Sequence, residues 1–174
     1  PIANSAAKPR PAQAERLPNI VVILADDMPR HHPGFNGGPV STPNLDRLAR
    51  EGTRLTQFYV HAVCSPTRAA FLTGRYPFRT GMEERSHGND VAGMLTDERT
   101  LAEALQKAGY FTGIIGKWHL GHLPQYLPTR HGFDYWFGIP YSNDMDRDPS
   151  VKGNWVTTGK TSPWSVYRGP LLRD

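Results

Sequence analysis

One cysteine, Cys64, stands directly ahead of Ser65-Pro66-Thr67-Arg68 and a helix-like run, Ala69-Ala70-Phe71-Leu72-Thr73-Gly74-Arg75. A thiol at the mouth of a helix meets unpaired N–H groups and the positive end of the dipole, which favour an exposed nucleophile or a modification site. Pro66 suits the first turn of such a helix, where a missing N–H costs nothing. Arg68 falls about one turn further on, so its planar guanidinium can return to the same end and hold an anion. A lone cysteine is ordinarily a small buried hydrophobe; Pro66 and Arg68 reverse that expectation. The interval from Cys64 to Arg68 is shorter than the anion loop of cysteine-dependent phosphatases, which turns the reading away from ordinary thiol chemistry.

Two further groups could do chemistry. Asp26-Asp27 closes an apolar run, and adjacent carboxylates are hard oxygen ligands suited to Ca²⁺ or Mg²⁺. Strand ends and turns also use Asp routinely, so the pair carries weight only in company. Lys117 and His119 lie in Gly116-Lys117-Trp118-His119 at the end of another apolar run. Alone, they read equally well as a solvated turn.

The elements that must position these groups alternate. Asn19-Ile20-Val21-Val22-Ile23-Leu24-Ala25 predicts a parallel strand buried on both faces. Met28 to Ser41 has no periodicity and predicts a loop. Thr42-Pro43 opens a short helix with Leu45 and Leu48 on one face and Gly52 as its stop. Thr53 to Val60 predicts a second strand. After the cysteine helix, the Gly-, charge- and His-rich segment 75–96 predicts a loop on the side of the site. Thr100 and Glu103 form a capping box for a helix over Leu101 to Ala108, closed by Gly109. Tyr110 to Ile115 predicts a third strand. Strand, helix and strand in turn give an α/β fold, a mostly parallel sheet with helices on its faces. Ligands in such folds gather beyond the carboxyl ends of the strands, where Asp26, Asp27, Lys117 and His119 all fall.

Composition sets the outer bounds. At 174 residues and 38% hydrophobic the chain can bury one core, and residues 1–17, rich in Pro and Ala, read as a disordered lead-in to a domain over 18–174. The net charge of +4 is mild and spread out, with no Lys/Arg run of the kind that binds nucleic acid. The longest apolar run, Ile20 to Ala25, is far short of the roughly 20 residues needed to span a bilayer. One cysteine excludes an internal disulfide.

From Pro18 to about Met145 the chain resembles the N-terminal part of a type I, formylglycine-dependent sulfatase, arylsulfatase-like, of the alkaline phosphatase superfamily. Three segments carry the resemblance, in family order. Asn19 to Asp27 is similar to the first strand and metal pair. Ala62-Val63-Cys64-Ser65-Pro66-Thr67-Arg68-Ala69-Ala70-Phe71-Leu72-Thr73-Gly74 fits the signature in which cysteine is oxidised to formylglycine. Gly109-Tyr110-Phe111-Thr112-Gly113-Ile114-Ile115-Gly116-Lys117-Trp118-His119 fits a second signature.

The resemblance implies a sulfuric ester hydrolase with a set of roles. Asp26, Asp27 and the modified Cys64 would bind Ca²⁺ in preference to Mg²⁺. Arg68 would steady the modified residue, Lys117 would bridge it to the sulfate, and His119 would orient or deprotonate a hydroxyl of its hydrate. Ser142, in Gly138-Ile139-Pro140-Tyr141-Ser142, resembles a serine that contacts substrate. Implied partners are an aryl or sugar sulfate ester and a formylglycine-generating maturation enzyme. The implied location is secreted, periplasmic or lysosome-like. Two departures stand out. Pro29-Arg30-His31-His32-Pro33 replaces the Gly-rich turn usual after the Asp pair, so this loop is expected to be rebuilt, its His residues either lining the pocket or exposed. The chain also ends at Asp174, ahead of a later Asp-Asn pair, Lys and His, and therefore reads as a fragment whose sheet is incomplete. A phosphonate or phosphate ester hydrolase of the same superfamily, and an unconverted, non-catalytic binding protein, are the alternatives.

Overall fold

The computed structural model describes residues 17–84, 86, 90–142 and 167–168; of the expected lead-in only Leu17, which is exposed, falls among them. Residues 1–54 and 55–174 form two compact units.

The first unit is built around helix α1, Pro43–Glu51. Proline at its first position fixes a helical φ at no hydrogen-bond cost. Thr42 precedes it as expected but does not cap it. Its hydroxyl instead accepts from the Gly34 N–H at 2.9 Å and donates to Asp46 Oδ1 at 2.7 Å. The segment expected to be a plain loop is thereby knotted onto the helix. A 3-10 turn, Gly34–Asn36, and a parallel bridge from Pro33 to Val40 complete it. Asn36 accepts from Arg54 at 2.8 Å and donates to the Arg30 carbonyl at 2.7 Å.

The second unit holds helix α2, Cys64–Thr73, helix α3, Leu101–Lys107, and a sheet of β1, Gly113–Lys117, β2, Tyr135–Ile139, and β3, Tyr167–Arg168, in that order. β1 and β2 are parallel, from Gly113 opposite Tyr135 to Lys117 opposite Ile139, and β3 is antiparallel to β2. A parallel pair with helices bears out the α/β expectation. α3 has the expected capping box: the Thr100 hydroxyl accepts from the Glu103 N–H at 3.1 Å, and the Glu103 carboxylate accepts from the Thr100 N–H at 3.3 Å. Gly109 follows with φ 90, the left-handed turn that favours glycine. The core joins Ala69 and Leu72 of α2 to Met82, Met94, Trp118, Leu120 and Trp136.

Three strand expectations are corrected. Residues 19–25 and 53–60 form no strand among the described residues. Both have strand-forming side chains, but a strand exists only through a ladder with a neighbour, and none of the described strands pairs with either. Val21 and Ile23 are 80% and 79% exposed, the opposite of the two-sided burial expected. The third strand begins at Gly113 rather than Tyr110. Thr112 is held back by Asp134, whose carboxylate accepts from the Thr112 N–H at 2.8 Å and from its hydroxyl at 3.0 Å. That backbone hydrogen bond keeps the Asp134 carboxyl below its usual pKa.

Gly116 and Gly138 face each other across β1 and β2, where a Cβ on Gly138 would run into the Gly116 carbonyl. The Gly138→Ala variant is therefore expected to lose about 1–3 kcal/mol by forcing the strands apart. A lowered denaturant midpoint with an unchanged slope checks this.

The segment between β1 and β2 packs His131 fully buried, its ring 5.5 Å from that of Trp118 and neither ring nitrogen meeting a hydrogen-bond partner. Burial pushes this imidazole below its ordinary 6.5, and Glu103 opposes the shift more weakly. As the pH falls below 6.5 the unfolded chain takes up the proton before the folded one does. The stability linked to neutral His131 is thus complete above 6.5 and is lost as the pH falls through the folded value. Melting temperatures across pH 5 to 7 should slope upward with pH, and His131→Phe should flatten that slope.

Candidate active site

α2 starts at Cys64, its Ncap residue Val63 extended at φ −135 and ψ 169 and offering no side-chain cap. The first turn is braced instead by Thr67, whose hydroxyl donates to the Val63 carbonyl at 2.9 Å, and by buried Ser65 and Pro66. The Cys64 thiol is half-buried and accepts a hydrogen bond from Lys117 Nζ at 3.1 Å. Lys117 is the last residue of β1, and its side chain reaches the first residue of α2. Arg68 Nη1 donates to the Lys117 carbonyl at 2.6 Å. The guanidinium expected to hold an anion thus also ties the helix to the strand end.

His119, two residues past β1, is fully buried in the left-handed region at φ 63. Its N–H donates to the Pro140 carbonyl at 2.8 Å. Its Nε2 lies 2.9 Å from the Ser86 carbonyl oxygen. A carbonyl only accepts, so Nε2 carries the hydrogen and, in the neutral ring, Nδ1 is the basic nitrogen. The Ser86 N–H in turn donates to Ser65 Oγ at 3.0 Å. Ser65 and Ser86 therefore link the start of α2 to the imidazole, a role sequence reading did not assign. The place of Ser65 beside Cys64 was a usable signal; Ser86 carried none.

Beyond His119 stands Tyr141, also buried, its ring perpendicular to the imidazole at 86° and 5.5 Å. Burial and, second, Asp90 push the Tyr141 hydroxyl up to about 12, so it stays protonated. It lies 2.7 Å from His122 Nδ1. Burial holds His122 below its usual pKa, with Asp90 opposing, so Nδ1 is suited to accept from Tyr141. Ser142, the next residue, is half-buried.

Asp26 and Asp27 belong to the first unit and are exposed. Asp27 adopts φ 52. Among the described residues Asp27 and His119 are the two non-glycine positions with positive φ. Such conformations cost about 1–3 kcal/mol and gather at functional sites. His31 and His32 are exposed, their rings edge to face at 4.8 Å.

Comparisons with known proteins agree on one family. Residues 18–169 match the profile of the family described as Sulfatase. Arylsulfatase G of Rattus norvegicus is 53% identical over 130 residues, which span 74% of this chain and 25% of that protein. N-acetylgalactosamine-6-sulfatase of Mus musculus is 44% identical over 165 residues, spanning 86% of this chain and 32% of that protein. The crystal structure of Ps i-CgsB superposes with a TM-score of 0.66 at 41% identity, covering 69% of this chain and 27% of that one. The same protein solved in complex with k-i-k-neocarrahexaose gives 0.64 at 39%, covering 67% and 27%. The chain thus spans about a quarter to a third of the length of these relatives.

Proposed function

Because the chain belongs to the sulfatase family, we propose that the protein it comes from hydrolyses sulfate monoesters, with position 64 converted from cysteine to formylglycine. The observation that carries this reading is the Lys117 ammonium 3.1 Å from Cys64 Sγ, at the start of a helix whose Arg68 is bonded to the Lys117 backbone. A thiol in that setting faces a fixed cation, as a group destined to handle an anion should.

The family implies a divalent metal, and the donor chemistry fits one. Asp26 and Asp27 offer hard carboxylate oxygens, and position 64 offers oxygen in place of sulfur once modified. These residues would hold Ca²⁺ in preference to Mg²⁺. Calcium takes about six to eight oxygens, so further ligands must come from elsewhere in the protein. When bound, the cation lowers the pKa of a coordinated hydroxyl. When formed, the hydrated aldehyde would supply two hydroxyls on one carbon, one for attack on sulfur with departure of the ester's alcohol, and one whose deprotonation would expel sulfate and restore the aldehyde. The remaining roles fall to the chain's own groups. The Lys117 ammonium offsets charge on the sulfate oxygens, and Arg68, by holding the Lys117 carbonyl, keeps that ammonium over position 64. His119 Nδ1 takes a hydroxyl proton, its ring held in the required tautomer by the Ser86 carbonyl. The Ser142 hydroxyl contacts substrate.

The names of the similar proteins support a sulfated sugar as the substrate class, N-acetylgalactosamine-6-sulfatase and the neocarrahexaose complex above all. A secreted, periplasmic or lysosome-like location and a formylglycine-generating partner belong to the same proposal. Among the described residues no helix is long and apolar enough to cross a membrane.

Expression of the complete gene product with a formylglycine-generating enzyme tests the reading. The Cys64 peptide should lose about 18 Da, the difference between cysteine and formylglycine. The protein should release sulfate from a sugar or aryl sulfate faster than phosphate from the matching phosphate ester. An intact thiol would favour the non-catalytic alternative, and a preference for phosphate would favour the phosphate or phosphonate hydrolase.

A further inference from the structure

The pair Tyr141 and His122 has no role in the chemistry described so far, yet both touch the part of the fold that carries His119. Tyr141 is 2% exposed and its ring stands at 86° to the His119 imidazole, 5.5 Å away. Its hydroxyl lies 2.7 Å from His122 Nδ1, and the His122 ring is 5.6 Å from the Tyr141 ring. His119 is also fixed at its backbone by the carbonyl of Pro140, the neighbour of Tyr141. One short segment, 140–141, therefore meets both the main chain and the ring of His119.

We propose that Tyr141 is a positioning residue for His119, its ring fixing the plane of the imidazole while its own orientation is fixed by the hydrogen bond to His122. The inference rests on the proton-accepting role given to His119 above. The physical ground is that His119 cannot set its own ring from its backbone alone. The bond to the Ser86 carbonyl fixes one ring nitrogen and does not by itself fix the plane of the ring. A perpendicular aromatic contact is directional and removes this freedom. A swing of the Tyr141 ring about χ1 would carry its far end away, and an anchor at the hydroxyl opposes that swing. His122 provides that anchor, and the hydroxyl, kept protonated by burial and by Asp90, serves as its donor. A misplacement of about 1 Å at such a group costs up to about a hundredfold in rate.

The test uses the matured, complete protein and four variants. Tyr141→Phe keeps the ring and removes the anchor; Tyr141→Leu removes the ring. His122→Leu removes the acceptor, and His122→Asn restores one near the place of Nδ1. The expected result is a kcat lower by about tenfold in Tyr141→Phe and His122→Leu, lower still in Tyr141→Leu, with KM within about twofold throughout and most of the loss recovered in His122→Asn. An unchanged kcat in the first three variants overturns the proposal. So does a raised KM at constant kcat, which would make these side chains direct substrate contacts. A second readout needs no turnover. The imidazole proton resonances of His119 lie in the ring-current field of Tyr141 and should move in Tyr141→Leu, and to a smaller extent in His122→Leu. Unmoved resonances overturn the contact itself. Absence of sulfate-ester turnover by the native protein would sink the functional reading, and the resonances would still decide whether Tyr141 orients His119.

Discussion

Cys64→Ala in the otherwise native, matured protein lowers kcat/KM for a sulfate ester by about 10⁴-fold or more while leaving the melting temperature nearly unchanged. Both halves of this expected result follow from where the side chain sits. Cys64 is half-buried and lies outside the packed cluster of Ala69, Leu72, Trp118 and Trp136, so removing its sulfur opens no core cavity. The start of α2 does not depend on the thiol either, because Thr67, Ser65 and Pro66 brace the first turn. On the proposed reading the rate falls because the group that attacks sulfur is made from Cys64, while the neighbouring hydroxyls are engaged elsewhere, Ser65 with the Ser86 N–H and Thr67 with the Val63 carbonyl. Cys64→Ser sharpens the measurement. A serine has one hydroxyl where the aldehyde hydrate has two, so it can accept sulfate but has no second hydroxyl with which to expel it. A pre-steady-state burst of at most one equivalent, followed by negligible turnover, is the expected trace. Steady turnover by the serine variant would remove the need for formylglycine.

Lys117→Met is the second large effect, a loss of about 10²–10³-fold in kcat/KM. Methionine replaces the lysine stem as far as Cε and lacks the charged Nζ. The substitution is clean because Arg68 is bonded to the main-chain carbonyl of residue 117 and not to its side chain. The tether between α2 and β1 survives, and the ladder from Gly113 to Lys117 is unaffected. Circular dichroism and the denaturant midpoint should therefore match the native protein. A parallel fall in stability would show that the ammonium works as a structural ion and not as an electrostatic partner of position 64.

The extent to which these features could be read in advance differs from element to element. The capping box of Thr100 and Glu103, proline at the start of α1 and the placement of Cys64 at the start of α2 are local rules. Local rules survive into the structure because few long-range contacts compete with them. The runs at 19–25 and 53–60 carry an equally strong local signal and form no strand, because pairing is a property of two segments and cannot be read from one. β2 shows the converse. Tyr135-Trp136-Phe137 has no apolar–polar alternation to announce a strand, yet Trp136 is buried in the core and the backbone of all three residues pairs with β1. For the proposed site, residue types and spacing single out Cys64, Arg68, Lys117 and His119, and the structure brings Lys117 to Cys64 and Arg68 to the Lys117 carbonyl. The link from Ser65 through Ser86 to His119 could not be declared, since it joins three distant segments through backbone groups that every residue possesses.

The left-handed turns at Asp27 and His119 bear on how this lineage can change. Glycine would take up either conformation with less strain, so on the proposed reading aspartate is kept at position 27 by its role, and histidine at position 119 by its role together with its packing. A descendant released from catalysis should drift toward glycine at exposed Asp27 without losing its architecture, whereas glycine at buried His119 would open a cavity beside Tyr141. Glycine at position 27 is accordingly the mark of a relative that has kept the scaffold and abandoned the reaction.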